Sequence, residues 1–209
     1  VIEMGKCNGY EVVDYLYGYI TKNYSGAVLV EENSLDLPNF LQNEFKQPNK
    51  NCSIVSITRV ISYYQDYFSN ISEQEIFDQV FTIAKSYGFS DAIGTLPVKI
   101  DDIMKDYFRF YGIKIKAKGK YFSNFYNPVK SEIDKGRPLL MNIAFGEYHN
   151  HTVTITGYKI FKFKGMNIKF IEVIDGWRKT KTYIDYNIFS HSLLSAGVCS
   201  YNTLEILKK

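Results

Sequence analysis

The chain has 209 residues, 45% hydrophobic and 22% charged, which is the balance of an ordinary globular protein with room for one well-cored domain. Its formal net charge of +3 is small and its lysines are scattered, which argues against a nucleic-acid or membrane-surface partner. No apolar run reaches the length of a membrane span, and three cysteines (Cys7, Cys52, Cys199) cannot all pair with one another, so a disulfide scaffold is excluded.

The eighteen tyrosines and fifteen phenylalanines come with no spaced aromatic and basic ladder, and they read as core and rim packing. The chain begins at Val1 with no visible secretory signal, so a processed or trimmed form is expected. Secreted, cell-surface and cytoplasmic locations all stay open, as does the oligomeric state.

Val12, Val13, Leu16, Tyr17 and Ile20 share one face of a helix predicted over 10–22. Gly26 ends it, and Ala27–Val30 is a short strand. Leu35-Asp36-Leu37-Pro38 is extended, because a residue before proline avoids the helical region. A polar loop over 43–51 runs into a helix predicted from Cys52 to Phe68, with Ile54, Val55, Thr58 and Ile61 on its buried face. Ser72 and Glu75 form a capping box for the next helix, which carries Ile76, Phe77, Val80, Phe81 and Ala84. Asp101 or Asp102 is expected to cap a third helix, which Gly112 stops.

Beyond Gly112 the period changes to two. Ile113, Ile115 and Ala117 alternate with lysines. A short helix over 128–135 precedes a strand at Leu139–Ile143. Further strands are predicted at 152–158, 167–174, 181–184 and 196–206, with a helix or turn around 186–194. Helices first and an antiparallel-looking sheet second make an α+β pattern. The expectation is a single domain over 1–209, with a helical lobe over about 1–112 and a sheet lobe over about 113–209.

Cys52 stands at the first turn of its helix, where the positive end of the helix dipole favours the thiolate. From this stretch alone the plainer reading, a small buried hydrophobe, is the favoured one. His149 and His151 enter the strand Thr152–Tyr158, and Asp175 ends the strand Phe170–Ile174. Adjacent antiparallel strands could bring a histidine and an aspartate side by side, and the cysteine helix could pack across them. Nucleophile, base and orienter are the parts that thiol acyl transfer needs. Each part has a plainer reading: Asp175-Gly176 is also a common turn pair, and both histidines could be surface residues. His149-x-His151 could hold a metal with Cys52, but no further soft or imidazole ligand is evident nearby, so no metal or other cofactor is expected.

The ordered set resembles the papain-like cysteine peptidases, and in particular the branch related to bacteriocin-processing peptidases that cut after double-glycine leaders. Leu35-Asp36-Leu37-Pro38-Asn39-Phe40-Leu41-Gln42 resembles the family's Leu-Asp-Val-Pro stretch ending in glutamine. Pro48-Asn49-Lys50-Asn51-Cys52-Ser53-Ile54-Val55-Ser56-Ile57 is similar to its nucleophile turn and helix. Lys135-Gly136-Arg137-Pro138-Leu139-Leu140 looks like the entry to its central strand. His151-Thr152-Val153-Thr154-Ile155-Thr156-Gly157-Tyr158 and Val173-Ile174-Asp175 resemble the strands carrying the base and its acid.

The resemblance implies Cys52 as nucleophile, His151 as base and Asp175 as orienter. It also implies an upstream glutamine as oxyanion donor beside the Cys52 backbone N–H. Gln42 fits the motif, and Gln47 fits the spacing usual in papain. Ser53 departs from the glycine or acid that many members carry after the cysteine. A peptide or protein substrate is expected. A peptide-binding domain without turnover and an acyltransferase of transglutaminase type are the alternatives.

Overall fold

From Ser53 to Ser62 every side chain of the cysteine helix is buried, so this helix has no solvent face. A helix covered all round must be enclosed by other elements, and here two helices and a sheet enclose it. The computed structural model describes residues 10–46, 49–68, 70–121, 126–144, 146–187 and 199–207.

The elements in order are β1 (Val12–Val13), α1 (Leu16–Asn23), β2 (Val28–Ser34), α2 (Cys52–Tyr63), α3 (Glu73–Ser86), α4 (Pro97–Phe110), β3 (Ile115–Tyr121), α5 (Tyr126–Asp134), β4 (Leu139–Ile143), β5 (His151–Phe163), β6 (Met166–Ile174), β7 (Thr182–Asp185) and β8 (Cys199–Ile206). Short 3-10 turns cover Gln42–Glu44 and Gln65–Tyr67. Among the described residues, no helix is long and apolar enough to cross a membrane.

All strands join one antiparallel sheet in the order β1-β7-β6-β5-β4-β8-β3, and β2 pairs separately with β5. The long strand β5 makes this possible. Its first half, His151–Ile155, pairs with β4, and from Gly157 onward it pairs with β2. A Cβ on Gly157 would lie 2.5 Å from the Asn33 carbonyl, so glycine is what lets the end of β2 come this close.

Alternation along β5 divides its two faces. Val153 and Ile155 join a cluster with Leu139, Met141, Val173 and helix α5. Thr152, Thr154 and Thr156 point to the opposite side, and Thr152 and Thr154 meet α2 there. A second cluster unites α2, α3 and α4 with Leu140 and Leu204. A third packs Val13, Leu16 and Ile20 on Phe161, Ile168 and Phe170.

The mixed α+β class agrees with the sequence reading, and three details differ. Val12 and Val13 pair as β1 with β7, and α1 starts only at Leu16. β1 and β2 therefore enter the sheet from the region expected to be the helical lobe, because β5 and β7 offer free edges that local periodicity cannot reveal. The third helix begins at Pro97 rather than at Asp101 or Asp102. Proline suits the first helical turn, and Asp101 instead accepts hydrogen bonds from the Gly119 backbone N–H and from Asn202. The Ser72–Glu75 capping box is present as expected. Residues 188–194 of the helix or turn expected around 186–194 lie outside the described residues.

Candidate active site

Cys52, Ser56 and Arg59 recur at i, i+4 and i+7, a polar stripe along one face of the helix. The stripe faces the threonines of β5. Ser56 Oγ donates to the Thr152 carbonyl at 3.1 Å, and Arg59 donates to Thr154 Oγ1 at 2.8 Å. The Cys52 thiol lies beside Thr152 and Ser53, whose polar groups favour its ionised form, while the Thr152 hydroxyl itself donates to Asn142 Oδ1 at 2.8 Å. The thiol therefore sits against the first residues of β5, where its contact residue Thr152 is the chain neighbour of His151. Cys52 is a free cysteine.

Burial raises the thiol pKa above its ordinary value, and the polar groups of Thr152 and Ser53 only partly offset this. The helix-dipole argument alone favours the thiolate, but desolvation outweighs it in this enclosed position. His151 moves in the complementary direction. Burial lowers its pKa to about 4, partly opposed by the carbonyl and charge of Asp175 and reinforced by the charge of Arg59. At neutral pH the resting site thus holds a thiol and a neutral imidazole.

His151 lies at the mouth of β5, and its Nε2 bonds the main-chain carbonyl of Asp175 at 2.7 Å. Because a carbonyl only accepts, the hydrogen is on Nε2 and Nδ1 is left with its lone pair. Trp177 stacks on the imidazole with centroids 4.1 Å apart and rings 23° from parallel, and Tyr148 packs nearby at 5.6 Å.

The Asp175 carboxylate is engaged elsewhere. It accepts from the Trp177 and Arg178 backbone N–H groups at 2.8 and 2.9 Å, from Tyr148 Oη at 3.1 Å and from the Arg178 guanidinium at 2.6 Å. Arg178 also pairs with Glu147 and Asp14. Asp175 is thus beside the histidine as expected, but its backbone carbonyl rather than its side chain meets the ring.

Gln42 lies on the same turn. Its backbone N–H donates to the Gly176 carbonyl at 2.9 Å, and Asn51 Nδ2 donates to the Gln42 carbonyl at 3.3 Å. Gly176 has φ +75°, and a Cβ there would lie 3.1 Å from Gln42 Cγ and 3.7 Å from Arg59 Nη2. Just before the cysteine, Lys50 adopts the left-handed region at φ 67°, and its Nζ donates to the Ala92 carbonyl. That conformation is unusual for a residue with a side chain, and it turns the loop into the helix start.

Gln47 lies outside the described residues, as does His191, read as incidental. His149 is exposed and its Nε2 meets Asn150 Nδ2 at 3.2 Å, whereas His151 is buried. Among the described residues no group of three or more His, Cys, Asp and Glu side chains could hold a metal ion.

The sequence profile of the Peptidase_C39 like family matches residues 34–193 and so spans every residue of this cluster. The chain belongs to the Peptidase_C39-like family. That is a papain-like cysteine peptidase relationship, and it points to cysteine-type hydrolase activity in general terms. No curated protein matches this chain.

Arg59, Thr152, Tyr148 and Trp177 are parts of the site that the sequence reading did not single out. Arg59 was the legible one, since a lone cation among Ile57, Val60 and Ile61 at helical spacing from Cys52 has no solvent face to occupy.

Proposed function

We propose that this protein is a thiol-dependent peptidase or amide hydrolase in which Cys52 is the nucleophile and His151 its base. The observation that carries the reading is the seat of the Cys52 sulfur on Thr152, next in the chain to an imidazole whose Nδ1 keeps a lone pair. In the acylation step the thiol proton passes to His151 as the sulfur attacks the carbonyl carbon. The S–C bond forms, the imidazolium returns its proton to the departing amine, and the C–N bond breaks. Water, activated by the same imidazole, then cleaves the S–C bond and restores the thiol.

Asp175 serves through its carbonyl, holding the ring in the tautomer that accepts at Nδ1. Trp177 covers this hydrogen bond from water. The developing oxyanion is stabilised by the Cys52 backbone N–H and the Gln42 side-chain amide. Gln42 is preferred over Gln47 because its backbone is fixed to Gly176 and Asn51, both adjacent in sequence to proposed site residues. The substrate class is an extended peptide.

A neutral resting pair also suits a domain that binds peptide without cutting it. One experiment separates the readings: incubation with a diverse peptide library, with mass-spectrometric detection of products. New termini produced by wild type and absent with Cys52→Ala support hydrolysis, whereas peptides retained intact support binding. An added primary amine that appears in the products would instead identify acyl transfer.

A further inference from the structure

Among the described residues Arg59 is the largest fully buried side chain, and it has no carboxylate in salt-bridge contact. Its guanidinium donates to the Phe40 carbonyl at 2.9 Å and to Thr154 Oγ1 at 2.8 Å, and it lies 5.0 Å from the centroid of the Phe40 ring. Its Nε has no hydrogen-bond partner among the described residues. A buried cation whose direct contacts are all neutral is costly: burial lowers its pKa to about 9, the more distant charge of Asp175 offsets this only in part, and an apolar residue of similar volume would often be neutral or stabilising in its place. Its location gives the charge a use. Phe40 is two residues before Gln42, Thr154 is three after His151, and a Cβ placed on Gly176 would lie 3.1 Å from Gln42 Cγ and 3.7 Å from Arg59 Nη2.

We infer that Arg59 is a positioning residue of the Cys52–His151 centre, a brace beneath the site that fixes the Phe40–Gln42 segment against β5 and the Asp175–Gly176 turn and so aims the Gln42 amide at the oxyanion. The inference rests on the hydrolase reading above and names a residue that reading does not use. Arg59 touches no reacting atom. It acts through Gln42, so it matters for attack on a carbonyl and little for direct alkylation of sulfur, which forms no oxyanion. Displacement of a positioned group by about 1 Å can cost roughly a hundredfold in rate, and the loss of one oxyanion donor about a hundredfold or more.

The test uses the full chain and two small probes. p-Nitrophenyl acetate acetylates the thiol through a tetrahedral intermediate: the S–C bond forms, the bond to p-nitrophenolate breaks, and the thiol proton goes to His151. Iodoacetamide alkylates sulfur by direct displacement of iodide. In Arg59→Met the acetylation rate is expected to fall by about ten- to a hundredfold, while alkylation at alkaline pH changes by no more than about twofold. In a Gln42→Ala background the same substitution is expected to cost nothing further, since the two residues act as one unit.

Arg59→Lys retains the charge but not the planar fork, and it is expected to recover only part of the acetylation rate. Should Arg59→Met fail to fold, the same cycle is run with Arg59→Lys. Equal losses with both probes, an unchanged acetylation rate, or losses that multiply in the double variant would overturn the inference alone. A wild-type Cys52 that is never acetylated overturns the hydrolase reading and the inference with it.

Discussion

The imidazole of His151 donates from Nε2 to the backbone carbonyl of Asp175 at 2.7 Å, while the Asp175 carboxylate turns to Arg178 at 2.6 Å. The two halves of one residue thus do separate work. The carbonyl sets the ring, and the carboxylate sets the turn that presents the carbonyl.

Asp175→Asn should therefore be milder on chemistry than on stability. The Asn oxygen can still accept from the Trp177 and Arg178 backbone N–H groups, and the carbonyl remains. What is lost is the buried ion pair with Arg178, on the order of 3 kcal/mol when one partner is removed. Iodoacetamide labelling of Cys52 is expected to slow by less than about tenfold, alongside a clear drop in the urea midpoint. A loss of about 10⁴-fold, the size seen when a side-chain carboxylate fixes the tautomer, would show that the carboxylate reaches the ring in solution.

Stability should depend on pH through His151. In the unfolded chain this group protonates near 6.5, and in the folded chain it does so only near 4. Between those values the unfolded state binds the extra proton, so stability falls as pH falls and levels off below about 4. The shift corresponds to about 3 kcal/mol. Urea unfolding at pH 7 and pH 4.5 should show this leg in wild type and lack it in His151→Gln. Equal pH dependence in the two proteins would mean that His151 is not buried neutral.

The thiol should titrate late. Because burial raises its pKa, the alkylation rate of unliganded Cys52 is expected to climb with pH above the ordinary thiol range instead of reaching a plateau near neutrality. Thr152→Val removes a polar hydroxyl beside the thiol that lowers its pKa, and should move that limb higher still. A rate already flat at pH 7 would reveal a preformed thiolate–imidazolium pair.

Gly176→Ala tests the crowding at the turn. Its φ of +75° disfavours a side chain, and the new methyl would approach Gln42 Cγ at 3.1 Å. A stability loss of about 1–2 kcal/mol is expected from the backbone conformation. Acetylation by p-nitrophenyl acetate should fall more than alkylation, because Gln42 is displaced and the sulfur is not. Equal falls with both reagents would count against Gln42 as the oxyanion donor.

Much of this architecture was legible because local signals agreed with the fold. The Ser72–Glu75 capping box, the alternation that opens β3 and the break at Gly112 are written in side-chain chemistry that acts within a few residues. The order Gln42, Cys52, His151, Asp175 was legible from the resemblance, and the structure joins His151 to the Asp175 carbonyl and the Gln42 backbone to Gly176 and Asn51. Three features were not readable. β1 depends on the edge offered by β7, far along the chain, whereas the strand read at Ala27–Val30 is the start of β2. The division of Asp175 into carbonyl and carboxylate roles depends on how one turn closes. The direction of the Cys52 shift depends on burial, which a helix-start argument cannot weigh.

The family match begins at residue 34, yet the protein's physical unit begins earlier. Tyr10 accepts from the Tyr148 backbone N–H at 2.8 Å, Asp14 pairs with Arg178, and α1 covers Phe161 and Phe170. An expression fragment cut at the family boundary would lose strand partners along β5, expose aromatic rings of about 150–250 Å² each and release one arm of the Arg178 cluster. The shortest fragment worth purifying for any of the assays above therefore starts no later than Tyr10.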